Sequence, residues 1–429
     1  MKIILKQVLI LNPEQKLNQK SDLLINDGII EKIDGLNETD FKSSKVFDFD
    51  NKVCSPGFFD MHVHLREPGR EDEETVETGS NAAASGGFTG IACMPNTDPS
   101  IDSAEIIRFI KEKAKDHLVD VFPVAAATLA RKGEALSPMY ELFEAGAVAF
   151  SDDGVAIKNA GVLRNSLEYS LNFGTPIIEH CEDESMADGV MNEDLISTIL
   201  GLPGIPKVAE DLVVMRDIML AEFTGGKVHI AHISSKKSVE LVRQAKKNNI
   251  NVTAEVTPHH FTLTDDLLKS YDTNYKMNPP LRTRADIEAM IEGLKDGTID
   301  CIASDHAPHA IEEKEMEFIF APNGIIGLET ELSLVMSELV HKKHLTISQV
   351  INKMAINPRK ILNIPIPQIK IGEVANLTIF DPDLIWTVDV NKFKSKAKNS
   401  PFDKRLITGK SIAVVNKGKM FFEDQFTAI

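Results

Sequence analysis

Two histidines stand two residues apart in "DMHVHLREPGR" (Asp60–Arg70), directly after an apolar run that begins at Gly57. In a strand, residues i and i+2 point to the same side. His62 and His64 can therefore offer two imidazoles to one cation at about 2.0–2.1 Å. A lone His-x-His is more often a pair of polar residues at a strand end. Here the pattern recurs along the chain. Other apolar runs end in Asp152 and Asp153, in Glu179 and His180, in His232, in Thr257 and His259, and in Asp305 and His306. Taken singly, each has a structural reading: a rim histidine, or an acid capping the next helix. Taken together, His62, His64, His180, His232 and Asp305 form the N/O donor set of a catalytic divalent-metal site, provided the fold brings them together.

The elements that would do so are legible. Eight short apolar runs occupy 57–64, 87–95, 119–127, 145–153, 175–180, 227–233, 250–258 and 299–306. Most are apolar on both faces, as strands of a covered parallel sheet must be. The segments between them have helical period. Residues 103–117 put Ile106, Ile107 and Ile110 on one face, with Asp102 or Ser103 to cap the start. Residues 285–297 put Ile287, Met290, Ile291 and Leu294 on one stripe and stop at Gly297. Eight such units predict a (β/α)8 barrel over 56–364, with catalytic groups at the C-terminal strand ends. An open doubly wound sheet is the competing fold, but it would place its chemistry at one switch point. The flanks, 1–55 and 365–429, carry short alternating strands with turn signals such as "NDG" at 26–28. Neither flank has enough strand to be stable alone. Pairing both chain ends into one small β-sandwich beside the barrel is the simplest arrangement.

Composition narrows the partners. The chain has 429 residues and a formal net charge of −17. That charge disfavours nucleic acid and anionic membranes, which leaves a small-molecule substrate. No apolar run approaches the length of a membrane span. The N-terminal "MKIILKQVLILN" is broken by Lys6 and Gln7, so it reads as a strand and not a signal peptide. Cys54, Cys93, Cys181 and Cys301 are widely spaced, which predicts free thiols and a cytoplasmic setting. "ASGGFTG" (84–90) lacks the spacing of a dinucleotide loop.

The motifs "DMHVHLREPG" (60–69), "MPNT" (94–97), "FSDDG" (150–154), "IIEHCED" (177–183), "HIAHISS" (229–235), "KMNPPLR" (276–282) and "SDHAPH" (304–309) resemble those of the type I dihydroorotases in the amidohydrolase superfamily. The likeness runs through the whole chain. It implies a zinc-dependent enzyme with two Zn²⁺ per subunit, one held by His62, His64 and Asp305 and the other by His180 and His232. Many relatives bridge the two metals with a carboxylated lysine. This chain has no lysine there until Lys158, and the likeness assigns the bridge to Asp153, with Asp152 as a supporting carboxylate. The missing lysine counts against dihydropyrimidinase-like enzymes. The implied reaction is reversible hydrolysis of dihydroorotate to N-carbamoyl-L-aspartate, a step of pyrimidine biosynthesis. Water activated between the metals attacks the cyclic amide, and Asp305 shuttles its proton to the leaving nitrogen.

The resemblance also assigns substrate contacts to His64, Arg66, Asn96, Asn278, His309 and the backbone at Asn323–Gly324. Arg66 with Asn96 would hold the ring carboxylate, which suits a guanidinium fork. The structural alternatives are a rim ion pair from Arg66 to Glu67 or Asp72, and turn chemistry for the two asparagines beside proline. Asn323 stands where relatives often carry an apolar residue. No ligand role is assigned to His259, His260 or His306, and His117, His341 and His344 read as surface residues. A homodimer and an association with aspartate transcarbamoylase are the implied assemblies. Competing functions are another cyclic amidohydrolase, such as an allantoinase or hydantoinase, and a non-catalytic partner of aspartate transcarbamoylase. All six ligand positions are filled, which argues against the last.

Overall fold

The protein is described by a computed structural model covering residues 1–429. Each of the eight apolar runs contains a strand: Phe58–Val63, Phe88–Cys93, Asp120–Ala126, Ala149–Ser151, Ile177–Glu179, Val228–Ile230, Val252–Val256 and Cys301–Ile302. They pair in parallel and in sequential order. The ring closes where the His64 amide donates to the His306 carbonyl at 2.9 Å, beside a parallel bridge from Val63 to His306. The open doubly wound sheet is thereby excluded. Every residue of the first two strands is buried, as their unbroken apolar runs require.

The helices form where period and caps predicted. Ala104–Ala114 buries Ile107 and Ile110, although its N-cap Ser103 makes no side-chain bond. Arg284–Asp296 buries Ile287, Met290 and Leu294, and Gly297 closes it in a left-handed conformation with φ of 84°. No helix is long and apolar enough to cross a membrane.

The two chain ends build one hydrogen-bonded nine-stranded sheet around its own apolar core, which includes Ile3, Leu5, Val8, Ile10, Ala413 and Val415. Strand Leu377–Thr387 joins the halves by pairing with Val53–Pro56. The Lys6–Gln7 break in the apolar alternation is a bulge: pairing shifts between Leu5 and Val8, and Gln7 has φ of 57°. The bulge resets the alternation, so Leu5 and Val8 both face the core.

The first barrel strand carries a second irregularity that matters for chemistry. Phe59 and Met61 belong to the apolar cluster inside the barrel, whereas Val63 and Leu65 belong to the outer core beneath the helices. The register shifts between Asp60 and Val63, and the Asp60 carboxylate accepts the His62 amide at 3.0 Å. This shift turns His62 and His64 inward above Met61.

Candidate metal centre and substrate pocket

Asp153 sits at the centre of the mouth. His62 Nε2 faces Asp153 Oδ1 at 3.4 Å, His232 Nε2 faces the same oxygen at 3.5 Å, and His180 Nδ1 at 3.9 Å. His64 Nε2 faces the other oxygen, Oδ2, at 3.6 Å. Two triads of potential ligand atoms result, His62–His64–Asp153 and Asp153–His180–His232, and they share the aspartate. Asp305 joins the first: its Oδ1 lies 3.0 Å from His64 Nε2 and 3.6 Å from His62 Nε2. All six residues are buried.

Backbone geometry aims two of them. Ile230 and Ile233 pack outward and Ala231 inward, so simple alternation would not bring His232 into the mouth. His232 adopts φ of 29°, and Asp305 adopts 46°. Non-glycine residues seldom occupy this region outside turns and bulges, and such strain is held where the surrounding structure over-determines it, often at a functional site.

The donor set fits divalent cations. His62 Nε2 and Asp153 Oδ1 are buried without a hydrogen-bond partner although they face each other. Burial alone would raise the Asp153 carboxyl. The charge of His62 and the close approach of the His232 and His64 imidazoles outweigh it and hold Asp153 well below the usual carboxylate range. Asp305 is likewise held low against burial, through His64 and His62. Two ionised, buried carboxylates among four imidazoles make a negative cavity suited to cations.

Supporting residues fix the imidazoles. Glu255 accepts from His62 Nδ1 at 2.6 Å and from His229 at 3.2 Å. Burial opposes its ionisation, but His62 and His229 prevail and bring it to about 2. This is the acid–histidine partnership that orients metal-binding imidazoles. Sequence reasoning passed over Glu255, although a lone acid in the apolar run "INVTAEVTP" was the available signal. Asp152 accepts the Thr128 amide at 3.0 Å and also the Thr128 hydroxyl, so it braces a strand end as a supporting carboxylate. His260 spends both ring nitrogens on Thr257 and the Pro279 carbonyl. His306 spends its own on Glu74 and the Gly327 amide. His117 departs from the expected surface role: it is half-buried and bonded to Asn81.

A cavity of about 210 Å³ opens above the centre, lined by His64, Arg66, Asn96, Asp153, His180, His232, Asn278, Asp305, His309, Asn323 and Gly324, among others. Every residue given a metal-ligand or substrate-contact role from the sequence lines it except His62, which lies fully buried in the barrel. Arg66 pairs through Nε with Glu73 at 3.0 Å, and neither Glu67 nor Asp72 is its partner. Glu73 also accepts from His309 Nδ1 at 2.8 Å, so one buried carboxylate orients both. Asn96 Oδ1 bonds His64 Nδ1 at 2.8 Å. Asn278 donates to Glu182 at 2.9 Å while its Oδ1 stays unpartnered.

Imidazoles and carboxylates gathered this way at the mouth of a closed barrel define a class, the metal-dependent amidohydrolases. Comparison with known proteins narrows it further, and the chain belongs to the dihydroorotase family. A dihydro-orotase-like family model matches residues 51–238. A dihydroorotase of Pelotomaculum thermopropionicum is 48% identical over 426 residues, 99% of each chain. One of Acetivibrio thermocellus is 50% identical over 395 residues, 92% of each. Among solved structures, the L-hydantoinase (dihydropyrimidinase) of Arthrobacter aurescens overlays with a TM-score of 0.87 at 25% identity, covering 100% of this chain and 97% of that one. The dihydropyrimidinase of Brevibacillus agri overlays at 0.84 with 22% identity, a likeness of fold alone, over 100% of this chain and 96% of that one. The family resemblance read from the motifs is borne out.

Proposed function

We propose that the protein is a dihydroorotase that opens dihydroorotate to N-carbamoyl-L-aspartate and closes it again, using two zinc ions per chain. The observation that carries this reading is the joint placement, in one small cavity, of a shared-carboxylate ligand cluster and a buried arginine. Divalent cations held by His62, His64, Asp153, His180, His232 and Asp305 would supply a nucleophilic water at neutral pH and polarise the scissile carbonyl.

The chain's own groups do the rest. Glu73 and the Pro308 carbonyl engage Arg66 through Nε, Nη2 rests 3.5 Å from His309 Nε2, and the outer edge of the guanidinium is offered to the ring carboxylate. Asn96, tied to His64, offers its amide donors to the same carboxylate. His309, Asn278, His64 and the Asn323–Gly324 backbone orient the ring. Asp305 takes a proton from the attacking water as the C–O bond forms. It returns that proton to the ring nitrogen as the C–N bond breaks. Four buried free cysteines support a reducing, cytoplasmic setting. Helix Val208–Thr224 leaves Leu212, Met215, Met219 and Phe223 exposed, which supports a homodimer; aspartate transcarbamoylase is the further partner to test.

The test compares dihydroorotate with hydantoin and dihydrouracil, which lack the carboxylate, in wild type and Arg66→Ala. Losing a charge-assisted bond of about 1.5–3 kcal/mol should raise KM for dihydroorotate by roughly 10- to 150-fold. Metal content should stay unchanged. Equal loss of metal would mean that Arg66 holds the fold, and a preference for the uncharged rings would favour a hydantoinase.

A further inference from the structure

Two lysines behind the cavity are buried with no acid beside them. Lys276 and Lys314 are 4% and 6% exposed, and every hydrogen-bond partner of either ammonium is a backbone carbonyl. Lys276 donates to Phe318 at 2.8 Å, Ile319 at 2.8 Å and Ala321 at 2.7 Å. Lys314 donates to Pro322 at 2.9 Å, Gly324 at 3.2 Å and the Lys276 carbonyl at 3.4 Å. An ammonium has three donors, so each is saturated. Burying a cation without a counter-ion is costly, and the two charges here also repel each other. An apolar filler would spare that cost, so the arrangement calls for a reason beyond packing.

The captured carbonyls supply one. All but that of Lys276 belong to the segment that follows the short helix Ile311–Lys314 and reaches the cavity at Asn323 and Gly324. Around Asn323, the carbonyls of Ala321, Pro322 and Gly324 are drawn toward the lysines. The Asn323 carbonyl is left facing His309 Nε2 at 2.8 Å, in the cavity. The Gly324 amide is tied to the Lys276 carbonyl at 2.9 Å. We infer that Lys276 and Lys314 are positioning residues for substrate: they pin residues 318–324 so that the Asn323–Gly324 backbone meets the ring of an anionic cyclic amide. The inference rests on the proposed dihydroorotase reading for its substrate, but the anchoring does not.

Lys314→Met and Lys276→Met remove the donors and keep much of the side-chain volume. Amide hydrogen exchange reads the anchoring without any substrate and should speed up in 318–324. With dihydroorotate, KM should rise about tenfold while kcat stays within about threefold and metal content is unchanged, the pattern of lost uniform binding. Lys314→Gln, which keeps two donors, should fall between wild type and Lys314→Met. If Lys276→Met does not fold, the two Lys314 variants carry the test. Unchanged exchange overturns the anchoring. Faster exchange or a lower Tm with unchanged KM overturns the link to substrate and leaves a structural role. A wild type that does not turn over dihydroorotate overturns the substrate, and the exchange result still decides the anchoring.

Discussion

Glu255 shows how one side chain can organise a site that it does not line. Its carboxylate meets His62 and His229, and it also receives the His232 amide at 3.4 Å. Removing its charge should leave the fold intact and let the His62 ring turn. Glu255→Gln should cost about 10- to 100-fold in metal affinity or activity, the usual price of an outer partner. Titration of the apo-protein with zinc reads the affinity directly; unchanged affinity and activity would make Glu255 a bystander. At this scale the sequence was informative where chemistry is sparse. His62, His64, His180 and His232 stood out because each ends an apolar run. Glu73 did not, because it sits in "EDEE" (71–74), where four acids look alike until folding buries Glu73 and Glu74 and leaves Glu71 and Asp72 exposed.

The strands were legible because a barrel strand must be apolar on both faces, and few other elements are. What could not be read was how each strand ends. The register shift at Asp60–Val63 and the left-handed backbone of His232 and Asp305 aim the ligands, and neither has a composition signal. The mouth segment gives one: Gly324 has φ of 155°, and a Cβ there would meet the Ala307 carbonyl oxygen at 2.7 Å and His309 Nε2 at 2.8 Å. Gly324→Ala should therefore strain this element by about 1–3 kcal/mol. The strain is local, so the damage should appear mainly as a higher KM for dihydroorotate, with a modest fall in Tm. An alanine variant with wild-type KM would show that the close backbone approach is dispensable.

Across the whole molecule, both chain ends were visible as strand-rich flanks, but the continuity of their nine strands was not, because pairing between residues more than three hundred apart leaves no local trace. The contact between barrel and sheet has a pH signature. His117 follows the helix Ala104–Ala114, packs edge-on against Phe426 at 5.1 Å, and accepts the Val119 amide on Nδ1 at 3.0 Å. Burial, with Lys417 and Lys419 nearby, pushes it down to about 4. The folded state thus holds His117 neutral while the unfolded chain protonates near 6.5. Unfolding takes up a proton between these values, so stability is retained above pH 6.5 and is lost as pH falls toward 4. With screening at this half-buried site, the loss should be on the order of 1 kcal/mol. Denaturant midpoints for wild type and His117→Gln across pH 4–7 should diverge at the neutral end and converge at the acid end. Parallel curves would place the acid sensitivity elsewhere.

The decisive measurement is of metal content together with dihydroorotate hydrolysis in the purified chain, alone and with aspartate transcarbamoylase. The expected result is two zinc ions per chain, carbamoyl aspartate formed at a rate that falls with chelation, and recovery when zinc is restored. Protein that binds two zinc ions yet leaves dihydroorotate intact under both conditions would contradict it.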